Sequence, residues 1–483
     1  MRGAGDKIRS RAARDLRALL RQQVSFRLED RICYSFDATD LHFVPDAVAW
    51  PDDLEQVVGI ARASARHGFP VVPRGAGTGY TGGSVPLQGG LAVSLERMDR
   101  ILAVDARRRL AVVEPGVVNE DLRTEVGALG LTYPPDPASL KVSTIGGNVA
   151  ESAGGPRTVL HGTTRDYVVG LEMVLADGRV VRTGVLAAPR SGWDCGPLFV
   201  GSEGTLAIFT KAALRLTERP LRFATLWAEF PSLSQAASAV AALTAAGLPL
   251  SVLEILDGQT YACAHEYVRG HPPEEAPEGA LLIELEGMGD DVDRGIAAVS
   301  ALVGESGARG LRRATDESER DEIWEIRRSI SPALARLGEV KINEDIAVPR
   351  SAIPDFVRVM HEVSRDVRLP ILAFGHAGDG NLHVNIMLEK AGADELARAR
   401  SAVARLFSAA LSMGGALSGE HGIGITKAEH LASELSPVAI DVTKRVKRAL
   451  DPRDLINPGK VVTSAPNPWW TPRRAPGEDR ITC

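Results

Sequence analysis

Between Pro73 and Gly83 the chain reads PRGAGTGYTGG, and this stretch limits the possible folds more than any other. Gly77, Gly79 and Gly82 satisfy the G-x-G-x-x-G spacing of dinucleotide-binding folds, and Glu96 stands roughly where a ribose-binding acid would sit. That fingerprint must open a helix whose N-terminus holds the pyrophosphate. No helix can start here, because Gly82, Gly83, Pro86, Gly89 and Gly90 follow and the next regular stretch, LAVSL, reads as a strand. A Rossmann site is thereby disfavoured. Without a helix, the glycines can still turn successive backbone N–H groups toward one anion, a nest for a phosphate, with Arg74 adding charge. Upstream, AVAW (47–50) reads as a strand, Pro51-Asp52-Asp53 opens a helix through His67, and FPVV is the strand that delivers the chain into the glycines.

A second stretch concentrates chemistry. In FGHAGDGNLHVN (374–385), Pro370 to His376 is short and apolar, AGDG is turn chemistry, and Asn381 to Met387 alternates polar with apolar. Residues two apart in a strand share a face, so Asn381, His383 and Asn385 point one way while Leu382, Val384 and Ile386 enter a core. His376, ending the facing strand, can join the polar face. Further on, GGALSGEHGIG places Glu420 and His421 side by side between glycines. Either histidine of the first stretch, taken alone, is most simply a solvated or backbone-bonded side chain. Three of the ten histidines nevertheless fall with Glu420 in two Gly-punctuated stretches at element ends, where functional residues concentrate. Two imidazoles and a carboxylate suit a borderline divalent metal with positions left open for substrate.

At 483 residues the chain exceeds the size at which one core keeps growing, so at least two domains are expected. Its 44% apolar and 24% charged content is that of a soluble globular protein, and a net charge of −6 argues against generic nucleic-acid binding. No run of 18 apolar residues spans a membrane. The arginine-rich start carries Asp6, Asp15, Glu29 and Asp30 and has no apolar signal core, so it reads as an amphipathic surface helix. Cys33, Cys195, Cys263 and Cys483 are isolated, which excludes the usual in-chain iron–sulfur cluster and fits a reducing compartment. A cytoplasmic location, with peripheral attachment at the inner face of the membrane as a variant, is the expectation.

In the middle of the chain, GLTYPPDPASLKVSTIGGNVAESAGGPRTVLHGTTRDYV has little periodicity, and VVGLEMVLADGRVV reads as a hairpin turning at Asp177-Gly178. From Leu221 strands and helices alternate, predicting helices packed on one side of an antiparallel sheet. In Ile323 to Ser331, Arg327 and Ser331 are four apart and are expected to share a helix face.

PRGAGTGYTGG, PPDPAS, TIGGNVAESAGG, GTTRD, GSEGTLAIFTKAALRL, FGHAGDGNLH, SGEHGIG and NPGK, in this order, resemble the FAD-linked oxidases of the vanillyl-alcohol-oxidase type fold. More narrowly they resemble the D-2-hydroxy-acid dehydrogenases, a group taking in D-lactate and D-2-hydroxyglutarate dehydrogenases and the flavin subunit of glycolate oxidase. The resemblance runs over roughly residues 35 to 465. It implies an α+β protein with a two-part FAD-binding domain and an α+β substrate-capping domain built on an antiparallel sheet. The expected divisions are an N-terminal helical segment (1–35), the FAD-binding domain (36–220), the capping domain (221–450), a return to the FAD domain (451–465) and a loose tail (466–483) that includes Trp469 and Trp470.

The resemblance further implies that Arg74, Gly75, Ala76, Gly77, Thr78 and Gly79, with Gly82, Gly83 and Ser84, cradle the FAD pyrophosphate. Pro135, Asp136, Ser143, Thr144, Gly147, Asn148, Gly154, Gly162, Thr163, Glu203, Gly204, Ile208 and Asn457 would line the rest of the flavin cleft. Thr78 stands about where relatives with covalent flavin carry a histidine, so the FAD is expected to be non-covalent. GWDCG (192–196), with its Gly196-Pro197 turn, departs from the family pattern. Arg327 and Ser331 match residues that bind the substrate carboxylate, and the family's lysine is either Lys341 or displaced by Asn343. His376, His383 and Glu420 would hold the metal, zinc before manganese or iron; His421 would be the base, and Asn385 would hydrogen-bond substrate.

The implied reaction is oxidation of a D-2-hydroxy acid to the 2-oxo acid. A short acid such as D-lactate is favoured, and a second carboxylate would need Arg328 or Lys341. Electrons would pass to an external acceptor: an electron-transfer flavoprotein, a quinone or cytochrome, or an iron–sulfur subunit. A homodimer is compatible with this reading. The alternatives are a flavin transferase like alkyl-dihydroxyacetone-phosphate synthase and a non-catalytic flavin subunit of a respiratory complex.

Overall fold

The computed structural model describes residues 8–39, 41–187, 193–338, 340–390, 392–463 and 467–470. Gly192 of the GWDCG stretch and most of the 466–483 tail lie outside them. The chain divides into two compact units. The first comprises residues 1–157, 161–219 and 420–466, and the second residues 158–160, 220–419 and 467–483.

Besides the two-stranded pair Leu131–Thr132 and Thr217–Glu218, the first unit contains two sheets among the described residues. In the smaller, Ala47–Ala49 and Val71–Arg74 both run parallel to Leu91–Ser94, with Val24–Ser25 on the edge. The helix Leu54–His67 separates the first two of these strands in sequence. Asp53 caps it by accepting from the Gln56 N–H, and Gly68 ends it at φ +74°. The larger sheet is antiparallel, in the order Ile101–Asp105, Leu110–Val113, Ile208–Arg215, Val168–Val174, Val180–Arg182, and the Asp177-Gly178 turn joins the last two. The chain's late segment is stitched into this unit: Val71 N–H donates to Leu455 O at 2.7 Å, and Asn457 N–H to Val71 O at 2.7 Å. Within the stretch that lacks periodicity, Ile145–Glu151 is a helix, because Thr144 supplies an N-cap acceptor to Gly147.

The second unit is organised on a seven-stranded antiparallel sheet. Its order is Gly310–Arg313, Arg222–Phe230, Gly279–Gly287, Val252–Asp257, Ile371–Gly375, Asn381–Leu388, Val340–Ala347. Helices cover both faces rather than one. Leu233–Ala245, Asp291–Glu305, Ile353–Val367 and Ala393–Ser412 pack on one side, and Gly258–Arg269, Glu317–Arg328 and Ile330–Leu334 on the other. The cause is visible in the central strands. Val252–Asp257 and Asn381–Leu388 are buried at every position, so neither face can be left to water.

A second difference concerns Arg327 and Ser331. The helix Glu317–Arg328 ends before Ser331, which belongs to the separate helix Ile330–Leu334. Pro332 explains the break, since its ring would clash with the carbonyl four residues back, that of Arg328.

Among the described residues no helix is long and apolar enough to cross a membrane. One buried charge set ties the second unit's sheet to its helices. Glu284, fully buried, accepts from Arg320 at 2.8 Å, from Trp324 Nε1 at 3.0 Å and from Thr225 Oγ1 at 2.8 Å. Removing one partner of such a pair strands the other, so Glu284→Ala is expected to lower the unfolding free energy by about 3–5 kcal/mol. Denaturant unfolding followed by Trp fluorescence checks this, and a loss below about 1 kcal/mol would contradict it.

Candidate active site

In the first unit the strand Val71–Arg74 ends at the glycine loop. Gly77 (φ +73°) and Gly82 (φ +82°) adopt left-handed conformations that a Cβ would strain, and Gly79 has open space where a Cβ would stand. Arg74, buried, donates to Phe36 O at 2.6 Å, and its guanidinium lies where a Gly77 Cβ would be, so the arginine braces the loop. The Gly83 carbonyl is fixed by Asn457 Nδ2 at 2.8 Å and Lys460 Nζ at 2.6 Å. Burial lowers the Lys460 ammonium to a pKa of about 7, against the opposing effect of Asp37 and Glu203.

Every residue assigned above to the flavin lies in this unit. Thr163 and Asp166 form a capping box, Asp136 pairs with Arg157 at 3.2 Å, and Pro135 O accepts from Asn119 Nδ2 at 3.1 Å. The Ile208 side chain sits in the core. Ser143 Oγ, Asn148 Nδ2 and Ser202 Oγ are buried with no hydrogen-bond partner within the protein. Buried polar atoms left in that condition are what a bound polar cofactor would satisfy. Together with the open glycine loop, they fit a nucleotide such as FAD.

His421 belongs to the same unit. Its ring stacks on Tyr80 with centroids 5.0 Å apart and planes 27° from parallel, its Nε2 is 3.7 Å from Glu420 Oε1, and Thr81 Oγ1 donates to its carbonyl at 3.2 Å.

In the second unit, register brings the polar positions onto the sheet face that carries the Glu317–Arg328 helix. His383 stands opposite Phe374 and Asp345, and Asn385 opposite Asn343. The His376 and His383 rings meet edge to face at 5.1 Å. Asn343 Nδ2 donates to Asn385 Oδ1 at 2.8 Å, and both residues are buried. Lys341, two residues earlier on the same face, reaches Ser331 Oγ at 2.9 Å. Burial lowers its pKa to about 8.

Sequence reasoning missed Glu254. This carboxylate is fully buried in Val252–Asp257, where one oxygen takes the Nδ1 side of His376 and the other takes Nε and Nη2 of Arg327 at 2.5 Å. Burial by itself would raise its pKa. The charge of Arg327 and then that of His376 outweigh this and hold it at about 2, so Glu254 is an anion. The available signal was a lone carboxylate inside an apolar strand, SVLEILD. Arg327, itself buried, lies over the Phe374 ring at 4.9 Å and has Nη1 not engaged by Glu254.

Asp345 accepts from the Gly419 N–H at 2.9 Å and thereby anchors the residue before Glu420, where the chain leaves the second unit. One ligating atom from each of His376, His383 and Glu420 falls within 4.8 Å of the others. Nδ1 of His376 meets Glu254, the arrangement found where a carboxylate orients a metal-binding imidazole. The donor set fits a borderline divalent ion.

Comparison with known proteins agrees with both halves. The FAD binding domain family matches residues 45–184, and the C-terminal domain family of FAD linked oxidases matches residues 219–461. The glycolate oxidase subunit GlcD of Bacillus subtilis is 41% identical over 433 residues, covering 89% of this chain and 92% of that protein. The D-lactate dehydrogenase of Archaeoglobus fulgidus is 33% identical, covering 89% of this chain and 95% of that protein. In fold, the 4-ethylphenol oxidase of Gulosibacter chungangensis superposes with a TM-score of 0.78 at 19% identity, covering 95% of this chain and 98% of that one. A two-unit α+β chain with a helix-free glycine loop, matched by both domain families and by relatives along most of its length, belongs to the FAD-linked oxidases of the vanillyl-alcohol-oxidase type fold and is an FAD-linked oxidoreductase.

Proposed function

We propose that this chain oxidises a D-2-hydroxy acid, of the size of glycolate or D-lactate, to the 2-oxo acid and passes the electrons to an external acceptor. The observation that carries the reading is the His376, His383 and Glu420 group, with His376 oriented by Glu254. The names of the relatives, glycolate oxidase subunit and D-lactate dehydrogenase, support the substrate class.

Bound FAD would supply a two-electron acceptor, and a divalent ion held by His376, His383 and Glu420 would supply the charge that makes a hydroxyl a stronger acid. The remaining work falls to side chains of this chain. Arg327, through Nη1, and Lys341 hold the substrate carboxylate, and Ser331 and Asn385 add hydrogen bonds. His421 takes the hydroxyl proton on a ring nitrogen. Stacking on Tyr80 limits its rotation about the ring plane. Zinc is the ion that best suits two imidazoles and a carboxylate. Cys33, Cys195 and Cys263 are free and far apart in sequence, which supports an acceptor outside the chain.

Anaerobic mixing of the FAD-loaded chain with glycolate and both enantiomers of lactate and 2-hydroxyglutarate tests the reading. The D-acids or glycolate are expected to bleach the flavin and to support dye reduction. Bleaching by none of these acids, or the same rate after chelation and metal analysis, would contradict it.

Lys341 gives a pH prediction. Its amine is a cation below about pH 8 and neutral above. Carboxylate binding through it therefore weakens as pH rises, and KM is expected to climb about three- to tenfold between pH 8 and 9.5. Lys341→Met should show the raised KM at all pH values and a flat profile. Unchanged KM in that variant would remove Lys341 from the site.

A further inference from the structure

We propose that Glu203 is a positioning residue for His421, acting through the backbone of the segment that carries it. This rests on His421 being the base of the reaction proposed above. Glu203 is buried, and both of its carboxylate oxygens are engaged: Oε1 accepts from the Ile423 N–H at 2.8 Å and Oε2 from the Gly424 N–H at 2.6 Å. These are the peptides two and three residues beyond His421.

The clamp is enforced from several sides within the first unit. Glu203 has φ +52°, a conformation a residue with a Cβ adopts only when its surroundings demand it. Its N–H donates to Ala150 O at 2.8 Å, and its carbonyl accepts from Asn457 Nδ2 at 2.9 Å. The clamped segment has no slack. Gly422 (φ +84°) would bring a Cβ to 2.8 Å from Glu203 Oε1, and Gly424 (φ +50°) would bring one to 2.1 Å from Thr81 O. The Ile425 N–H closes the turn on the same Thr81 carbonyl at 2.7 Å, while Thr81 Oγ1 holds the His421 carbonyl.

The consequence is a division of labour. Tyr80 and Thr81 of the glycine loop, and Glu203 of the GSEGTLAIF stretch, fix where the His421 ring sits. Asn457 ties Glu203 to the same loop, because its amide also donates to Gly83 O. Glu203 was assigned above to the flavin cleft by resemblance. Its carboxylate contacts also make it a brace for the base, and its removal should slow chemistry without weakening substrate binding.

The test uses the full FAD-loaded chain in anaerobic stopped flow with D-lactate and with glycolate. Glu203→Gln keeps the side-chain shape but offers one acceptor in place of two. Its limiting rate of flavin reduction should fall about 10–100-fold, as for a small misplacement of a reacting group, with substrate Kd and the flavin spectrum little changed. In a His421→Ala background the same change should add about twofold or less, because the two residues act as one unit. Full-rate Glu203→Gln beside a slow His421→Ala overturns the positioning inference alone, as does a loss that multiplies undiminished onto His421→Ala. A full-rate His421→Ala overturns the base assignment and the inference together. Should Glu203→Gln lose FAD or fail to fold, Thr81→Val removes the hydroxyl on the His421 carbonyl and should slow reduction about three- to tenfold with the same non-additivity. Full rate in Thr81→Val would then overturn the proposal.

Discussion

The candidate site depends on one buried anion. Glu254 sits in the middle of the seven-stranded sheet with no exposure to water, and it stays charged because Arg327 and His376 approach it from two sides. A carboxylate in that position costs several kcal/mol of desolvation unless its partners are held in good geometry, and losing either partner would strand the other. The pairing therefore does structural and chemical work at once. It fixes the guanidinium over Phe374, and it holds the His376 ring through Nδ1.

The first unit solves a comparable problem with backbone. A loop rich in glycine has little reason to hold one shape, since glycine loses the most conformational freedom on ordering. Here the loop is held by Arg74 at its own start and by Asn457 and Lys460 from the distant late segment, both on the Gly83 carbonyl. That late segment enters the sheet beside Val71. The unit is thus assembled from both ends of the chain, with about 200 residues of the second unit inserted between 219 and 420.

Much of this was legible in the sequence where the controlling physics is local. The glycine run could not open a helix, and period-two alternation in Asn381 to Met387 placed His383 and Asn385 on one face. What the sequence hid is long range. Glu254 and His376 are 122 residues apart, and nothing in SVLEILD names its partner. The break between Arg327 and Ser331 was readable from Pro332, but the spacing of four suggested one continuous helix face. Helices on both sheet faces follow from strands buried at every position, a property that depends on neighbours rather than on any short pattern.

The central claim is that Glu254 orders His376 for a divalent ion. Zinc affinity of the FAD-loaded chain, measured by competition with a chromophoric chelator, should fall about 10–100-fold in Glu254→Gln, the loss expected when a carboxylate behind a metal-binding imidazole is neutralised. Equal affinities in a folded, flavin-loaded variant, or no zinc bound by either chain, would contradict it.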